Sequence, residues 1–165
     1  MQKIVTNLWF DTQAEEAAQF YVSLFEDSRI HNITRYGPSG AEVSGMPEGS
    51  VLTVEYTLNG QEYIAINGGP AFTFTHAISL MVNCDTQEEI DRLWTAFCEE
   101  GKPEECGWLT DKFGLSWQIV PTELNELLDN SDPVKVENVN RALFSMKKLD
   151  IDQLRKAATS NPHEQ

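Results

Sequence analysis

An α+β fold is predicted, built from two βαβββ modules whose curved mixed sheets enclose a groove, with a helical extension at the C-terminus. Three observations predict it. Asp11-Thr12-Gln13 recurs as Asp85-Thr86-Gln87, each time after a short apolar run and ahead of an amphipathic stretch. The match continues at the same offset, Glu15 against Glu89 and Phe20 against Trp94. A second echo pairs Gly60-Gln-Glu-Tyr63-Ile-Ala-Ile66 with Gly114-Leu-Ser-Trp117-Gln-Ile-Val120. Internal repetition of this kind marks one supersecondary unit used twice. The modules are assigned to residues 1–70 and 71–121, and the extension to 122–165, all within one globular domain.

Each element has a local reason. Ile4–Phe10 is an apolar run of strand length, and Thr12-x-x-Glu15 after it reads as a capping box that opens a helix. Ala14, Ala17, Ala18, Tyr21, Leu24 and Phe25 fall on one helical stripe. Residues 28–36 alternate as a strand, and 37–49, with four glycines and two prolines, reads as a mobile loop. Residues 50–58 and 62–67 form a hairpin turning at Asn59-Gly60. Asn67-Gly-Gly-Pro-Ala71 links the modules.

In the second module 77–83 is the first strand, and Thr86-x-x-Glu89 is a second capping box. Ile90, Leu93, Trp94, Phe97 and Cys98 make its helix stripe, which Gly101 ends as a residue free to adopt positive φ. Strands at 106–110 and 115–120 flank a turn at Asp111-Lys-Phe-Gly114. Asp132-Pro133 caps a helix carrying Val136, Val139, Leu143 and Met146. Ile151, Leu154 and Ala158 make a last helix, and 160–165 is expected to fray.

Twelve basic against 26 acidic residues leave a net charge of −14, which argues against nucleic acid and anionic membranes as partners, since both require basic surface. The apolar start is too short for a signal peptide, and no stretch reaches membrane-spanning length. Three cysteines, Cys84, Cys98 and Cys106, have no metal-ligand spacing and read as free thiols of a cytoplasmic protein.

Leu8-Trp-Phe-Asp-x-Gln-Ala-Glu-Glu-Ala-Ala-x-Phe-Tyr21, Ala77-Ile-Ser-Leu80, the block from Cys106-Gly-Trp108 to Pro121, and Met146-Lys-Lys-Leu-Asp-Ile-Asp-x-Leu154 together resemble the vicinal oxygen chelate superfamily. That superfamily includes glyoxalase I, bleomycin resistance proteins and extradiol dioxygenases. The resemblance is to its PhnB-like branch, labelled 3-demethylubiquinone methyltransferase-like. It implies the paired-module fold, a small-molecule ligand in the groove, and a homodimer, since paired modules of this superfamily often complete their clefts across one. It also implies four metal-ligand slots, which fall by counting on Thr6 (or Ile4), Ile64, Leu80 (or Ile78) and Gln118. Only Gln118 is a plausible ligand, so no metal and no other cofactor is expected. The methyltransferase label has no support in a glycine-rich loop after the first strand, where Asp11-Thr-Gln stands instead.

Parity from the slots places Ile4, Thr6, Leu8, Phe10, Ile64, Ile66, Ile78, Leu80 and Val82 on the groove side, with Thr6 and Gln118 as polar fixtures. Trp117 then packs against the helices, and Trp108 can line the pocket. His76 stands at the rim as a base, a lone ligand or a solvent-facing side chain. Asp111 is either an acid–base group or the cap of its turn. Cys106 is expected to be unreactive beside Glu104 and Glu105. The expected ligand-contacting set is therefore Thr6, Leu8, Phe10, Ile64, His76, Leu80, Trp108, Asp111 and Gln118. The function expected is binding of a small, largely apolar molecule without a catalytic metal. The alternative is a metal-dependent lyase, isomerase or dioxygenase.

Overall fold

The computed structural model describes residues 2–129 and 131–160. The fray expected after Ser160 lies outside them. Two compact units are present, one ending at Phe74 and the other starting at Thr75. The first holds β1 (Thr6–Phe10), α1 (Ala14–Leu24), β2 (Arg29–Arg35), α2 (Pro38–Ser44), β3 (Val51–Leu58) and β4 (Gln61–Asn67). The second holds β5 (Ser79–Cys84), α3 (Gln87–Cys98), β6 (Lys102–Pro103), β7 (Trp108–Thr110) and β8 (Ser116–Pro121). The tail helices α4 (Leu124–Leu128), α5 (Pro133–Phe144) and α6 (Ile151–Thr159) follow.

Both sheets have the same order, β1-β4-β3-β2 and β5-β8-β7-β6, with the first strand of each module parallel to its last and the other pairs antiparallel. The predicted duplication of a βαβββ unit is present. So is the helical extension.

In the first unit α1 lies on β3 and β4. Its buried residues are Ala14, Ala17, Ala18 and Tyr21, four of the predicted stripe. Three alanines bury little area, so their contribution is close approach of helix to sheet rather than the roughly 2 kcal/mol that a buried leucine supplies. Val54, Tyr56, Leu58 and Ala65 complete this core. The capping box predicted at Thr12 does not form: Gln13 is the N-cap and makes no side-chain bond. Asn67 Oδ1, at the end of β4, instead accepts from Ala14 N at 2.8 Å, and Asn67 Nδ2 donates to Val51 O.

The segment read as a mobile loop contains α2. Pro38 stands at its start, and Gly45 closes it in the left-handed conformation, donating to Ala41 O. Glycine count concealed a helix whose two ends are built from glycine and proline.

In the second unit Thr86 caps α3 as predicted, its hydroxyl accepting from Glu89 N at 3.2 Å. Glu89 reaches back to Asp85 N. Ile90, Leu93 and Phe97 are buried against the sheet, with the Phe97 ring 4.7 Å from that of Trp117. Gly101 is required for a different reason from the one expected. Its φ is not positive; an added Cβ would lie 2.3 Å from Phe97 O and 2.5 Å from Thr110 O.

The tail builds a second cluster from Val139, Leu143, Met146, Leu149 and Leu154 around Val120 of β8. It is fastened at the turn 105–108, where Cys106 (φ 58°) and Gly107 (φ 83°) both adopt left-handed backbone and Trp108 N donates to Glu105 O. Cys106 N and Gly107 N donate to Met146 O and Lys147 O, both at 2.8 Å.

Candidate functional site

β-Strand register decides which side chains share a face. In the first sheet Leu8 stands opposite Ala65 and Phe10 opposite Asn67, while Ile64 stands opposite Asn7 and Ile66 opposite Trp9. Ala65 and Asn67 point toward α1. Leu8 and Phe10 are therefore buried on the helix-covered face. Thr6 shares that parity and is exposed beyond the helix. This corrects the face expected for Thr6, Leu8 and Phe10. The face turned away from α1 carries Asn7, Trp9, Ile64 and Ile66. Trp9 is fixed there, its Nε1 donating to Gly69 O at 3.0 Å and its ring covering Gly68, where an added Cβ would come within 2.1 Å of the indole.

The second sheet repeats the correction. Leu80 pairs with Trp117 and Val82 with Ile119, on the side of α3. Ile4 and Ile78 lie outside the strands and are exposed. Trp117 packs on α3, as its parity to Gln118 required. Gln118 faces the other way, with Met81 opposite it on β5 and Trp108 opposite it on β7. Its Nε2 donates to Ser79 Oγ at 2.9 Å.

Ser79, Ser116 and Thr110 form the neighbouring row on the same face. Ser116 Oγ is fully buried and has no hydrogen-bond partner among the described residues. His76, three residues ahead of β5, reaches across the end of β8. Its Nε2 lies 2.8 Å from Glu104 Oε1 and 3.3 Å from Thr110 Oγ1. Thr110 Oγ1 also donates to Glu104 Oε1 at 3.0 Å. Partial burial of Glu104 raises the carboxyl pKa. The hydrogen bonds from His76 and Thr110, with the charges of His76 and Lys102, outweigh that and leave it lowered.

Asp111 is committed to its turn. Oδ1 accepts from Phe113 N at 2.9 Å and Leu115 N at 3.0 Å, and Oδ2 accepts from Trp117 Nε1 at 2.9 Å. The residue is buried at 4% exposure, which leaves it no surface for a ligand. Burial, with Glu105 beside it, raises the Cys106 thiol. Cys84 is pushed up to about 12 by burial and by Glu89 and Asp85, against Arg92.

Of the expected set, the structure brings Trp108 and Gln118 together, with His76 at the margin. Ile64 stands on the corresponding face of the other sheet. Sequence reasoning missed Glu104, Thr110, Ser116, Ser79 and Met81. A period of two from Gln118, carried across the hairpin, is the signal that places Thr110 and Ser116.

The four counted metal slots hold one amide, one hydroxyl and two aliphatic chains, and Thr6 and Leu80 stand on the helix sides of their sheets. Among the described residues no three His, Cys, Asp or Glu side chains converge. This donor set does not fit a divalent ion.

The family profile described as 3-demethylubiquinone-9 3-methyltransferase matches residues 2–120. A solved PhnB protein from Bacillus cereus is 42% identical, superposes with a TM-score of 0.65, and aligns over 73% of this chain and 99% of its own. Protein PA1353 from Pseudomonas aeruginosa, 20% identical, shares the fold with a TM-score of 0.59 over 73% of this chain and 98% of its own. No curated protein matches the chain.

Proposed function

The chain belongs to the PhnB-like 3-demethylubiquinone-9 3-methyltransferase family of the vicinal oxygen chelate superfamily, and on that premise we propose that it binds a small, largely apolar molecule without a catalytic metal. The ligand lies against the face of the second sheet turned away from α3. The observation that carries this reading is the row Met81–Gln118–Trp108: a thioether, a carboxamide and an indole side by side on a strand face, an apolar surface with one polar handle. Ile64 and Ile66 give the first sheet a comparable face. The positions turned away from the helices, Asn7 opposite Ile64 and Met81 opposite Gln118, support the reading because they carry no imidazole or carboxylate. Methyl transfer finds no support, because Asp11-Thr12-Gln13 occupies the turn where a glycine-rich cofactor loop would stand.

The proposal extends to a cytoplasmic homodimer, which three unpaired cysteines and the superfamily's habit of pairing modules support. Among the described residues no helix is long and apolar enough to cross a membrane.

Titration with the neutral dye N-phenyl-1-naphthylamine tests the site. Saturable fluorescence is expected in the parent chain and in Trp94→Ala, whose tryptophan lies on α3. It is expected to be lost in Trp108→Ala and Gln118→Ala. Equal binding by all four proteins defeats the assignment. Stoichiometric divalent metal in protein purified without chelators favours the metal-dependent lyase, isomerase or dioxygenase instead.

A further inference from the structure

The face around Gln118 contains more than an apolar row. Glu104 N donates to Trp108 O at 2.9 Å, which continues the β6–β7 ladder one residue beyond Pro103. Glu104 therefore stands opposite Trp108 on the same face. The row then reads Met81, Gln118, Trp108, Glu104, and the next reads Ser79, Ser116, Thr110, Lys102. With Gln118 Nε2 held by Ser79, the carbonyl oxygen is the part of the amide left to accept from a ligand. The Ser116 hydroxyl, without a partner, lies in the same row as Ser79 but is fully buried, below the reach of a ligand. One acceptor on this face is a carboxylate, Glu104, beside the indole ring of Trp108.

Building on the binding reading above, we propose that this site selects an organic cation: an apolar molecule carrying a protonated amine. The ammonium sits between Glu104 and the Gln118 carbonyl, and its apolar body lies on Trp108 and Met81. An indole face attracts cations through its quadrupole, and a carboxylate beside it adds a charge-assisted hydrogen bond. The chain's net charge of −14 repels anionic ligands and draws cationic ones. His76, bound to Glu104 Oε1, occupies the ammonium's place in the ligand-free protein. Its side chain is 65% exposed, so it swings aside at little cost in packing. Lys102, across from Thr110 on the same face, is a positive charge that opposes this attraction.

Three probes on one skeleton test the charge preference: 2-phenylethylammonium, 2-phenylethanol and phenylacetate, titrated by tryptophan fluorescence at neutral pH and low salt. The amine is expected to bind about tenfold more tightly than the alcohol, the ratio for one added charge-assisted hydrogen bond, with phenylacetate weakest. Glu104→Gln is expected to bring amine and alcohol together by weakening the amine about tenfold. His76→Gln is expected to strengthen amine binding, because the resident competitor is gone, an outcome that a purely structural His76–Glu104 pair does not produce. Thermal unfolding of each variant verifies that it is folded. Equal binding of the three probes, or a preference that survives Glu104→Gln, overturns the proposal and leaves the apolar-ligand reading standing. Failure of all three to bind overturns both.

Discussion

In the first module α1 begins without a cap of its own, and Asn67, at the end of β4, lends Oδ1 to Ala14 N. In the second module Pro121 holds the matching strand position, opposite Cys84 as Asn67 is opposite Phe10, and Thr86 caps α3 itself. The hairpins diverge in the same way. Asn59-Gly60 turns β3 into β4 through two residues of left-handed backbone. The β7–β8 turn spans five residues and is held by the Asp111 carboxylate. Sheet order and strand direction survived duplication, and the fastenings differ: a side chain distant in sequence caps the helix in the first copy, and a carboxylate holds the hairpin in the second. The repeat is conserved as topology rather than as a set of contacts.

Four substitutions break or sharpen that comparison. Asp111→Ala strands three N–H groups, two of them buried with their bonds, and is expected to cost about 4 kcal/mol. Gly60→Ala, at φ 77° in the first module's turn, is expected to cost only about 1–2 kcal/mol. Urea denaturation of both reads the difference, and comparable costs contradict a side-chain-held second turn. Asn67→Ala removes two bonds that tie α1 and β3 to β4, and is expected to cost about 2–3 kcal/mol. Thr86→Ala removes one helix cap, worth about 1 kcal/mol. If Thr86→Ala proves the more damaging, the asymmetry between the helices is misassigned.

The smallest effect concerns pH. Glu104 has its folded-state pKa lowered below the ordinary 4.5, so folding favours its ionised form. Its stabilisation is fully present above the unfolded-state value and is lost as pH falls through the folded one. The stability gap between the parent chain and Glu104→Gln is therefore expected to be constant above about pH 5.5 and to shrink below about pH 4.5. A gap that persists unchanged at lower pH is incompatible with this origin.

The sequence made the duplication legible because Asp-Thr-Gln sits at a strand-to-helix junction, where local chemistry is specific. It made the faces of the sheets illegible because β1 and β5 are apolar on both sides. Leu8-Trp9-Phe10 and Leu80-Met81-Val82 lack the alternation that reveals parity, so a slot counted by family analogy landed one residue out. In β8 Trp117 and Gln118 themselves differ in polarity, and there the parity was right. The Thr12 capping box failed for a long-range reason: the acceptor that reaches α1 comes from Asn67, 53 residues away from Ala14, which no local pattern reveals. His76 could be singled out, but its partner Glu104 could not. Their meeting depends on the β5-β8-β7 order carrying one strand's lead-in across another's end.

The left-handed turn at Cys106-Gly107 couples two parts of the chain that are otherwise far apart in sequence. Both of its amides donate to carbonyls of the segment leading into α6, so neither remains protected from solvent exchange once that segment lifts. A Cβ at Gly107 would lie 3.0 Å from Leu149 and 2.9 Å from Ile119 O, so tail and strand also close on that position sterically. Loosening the tail is therefore expected to loosen the turn that leads into Trp108 as well.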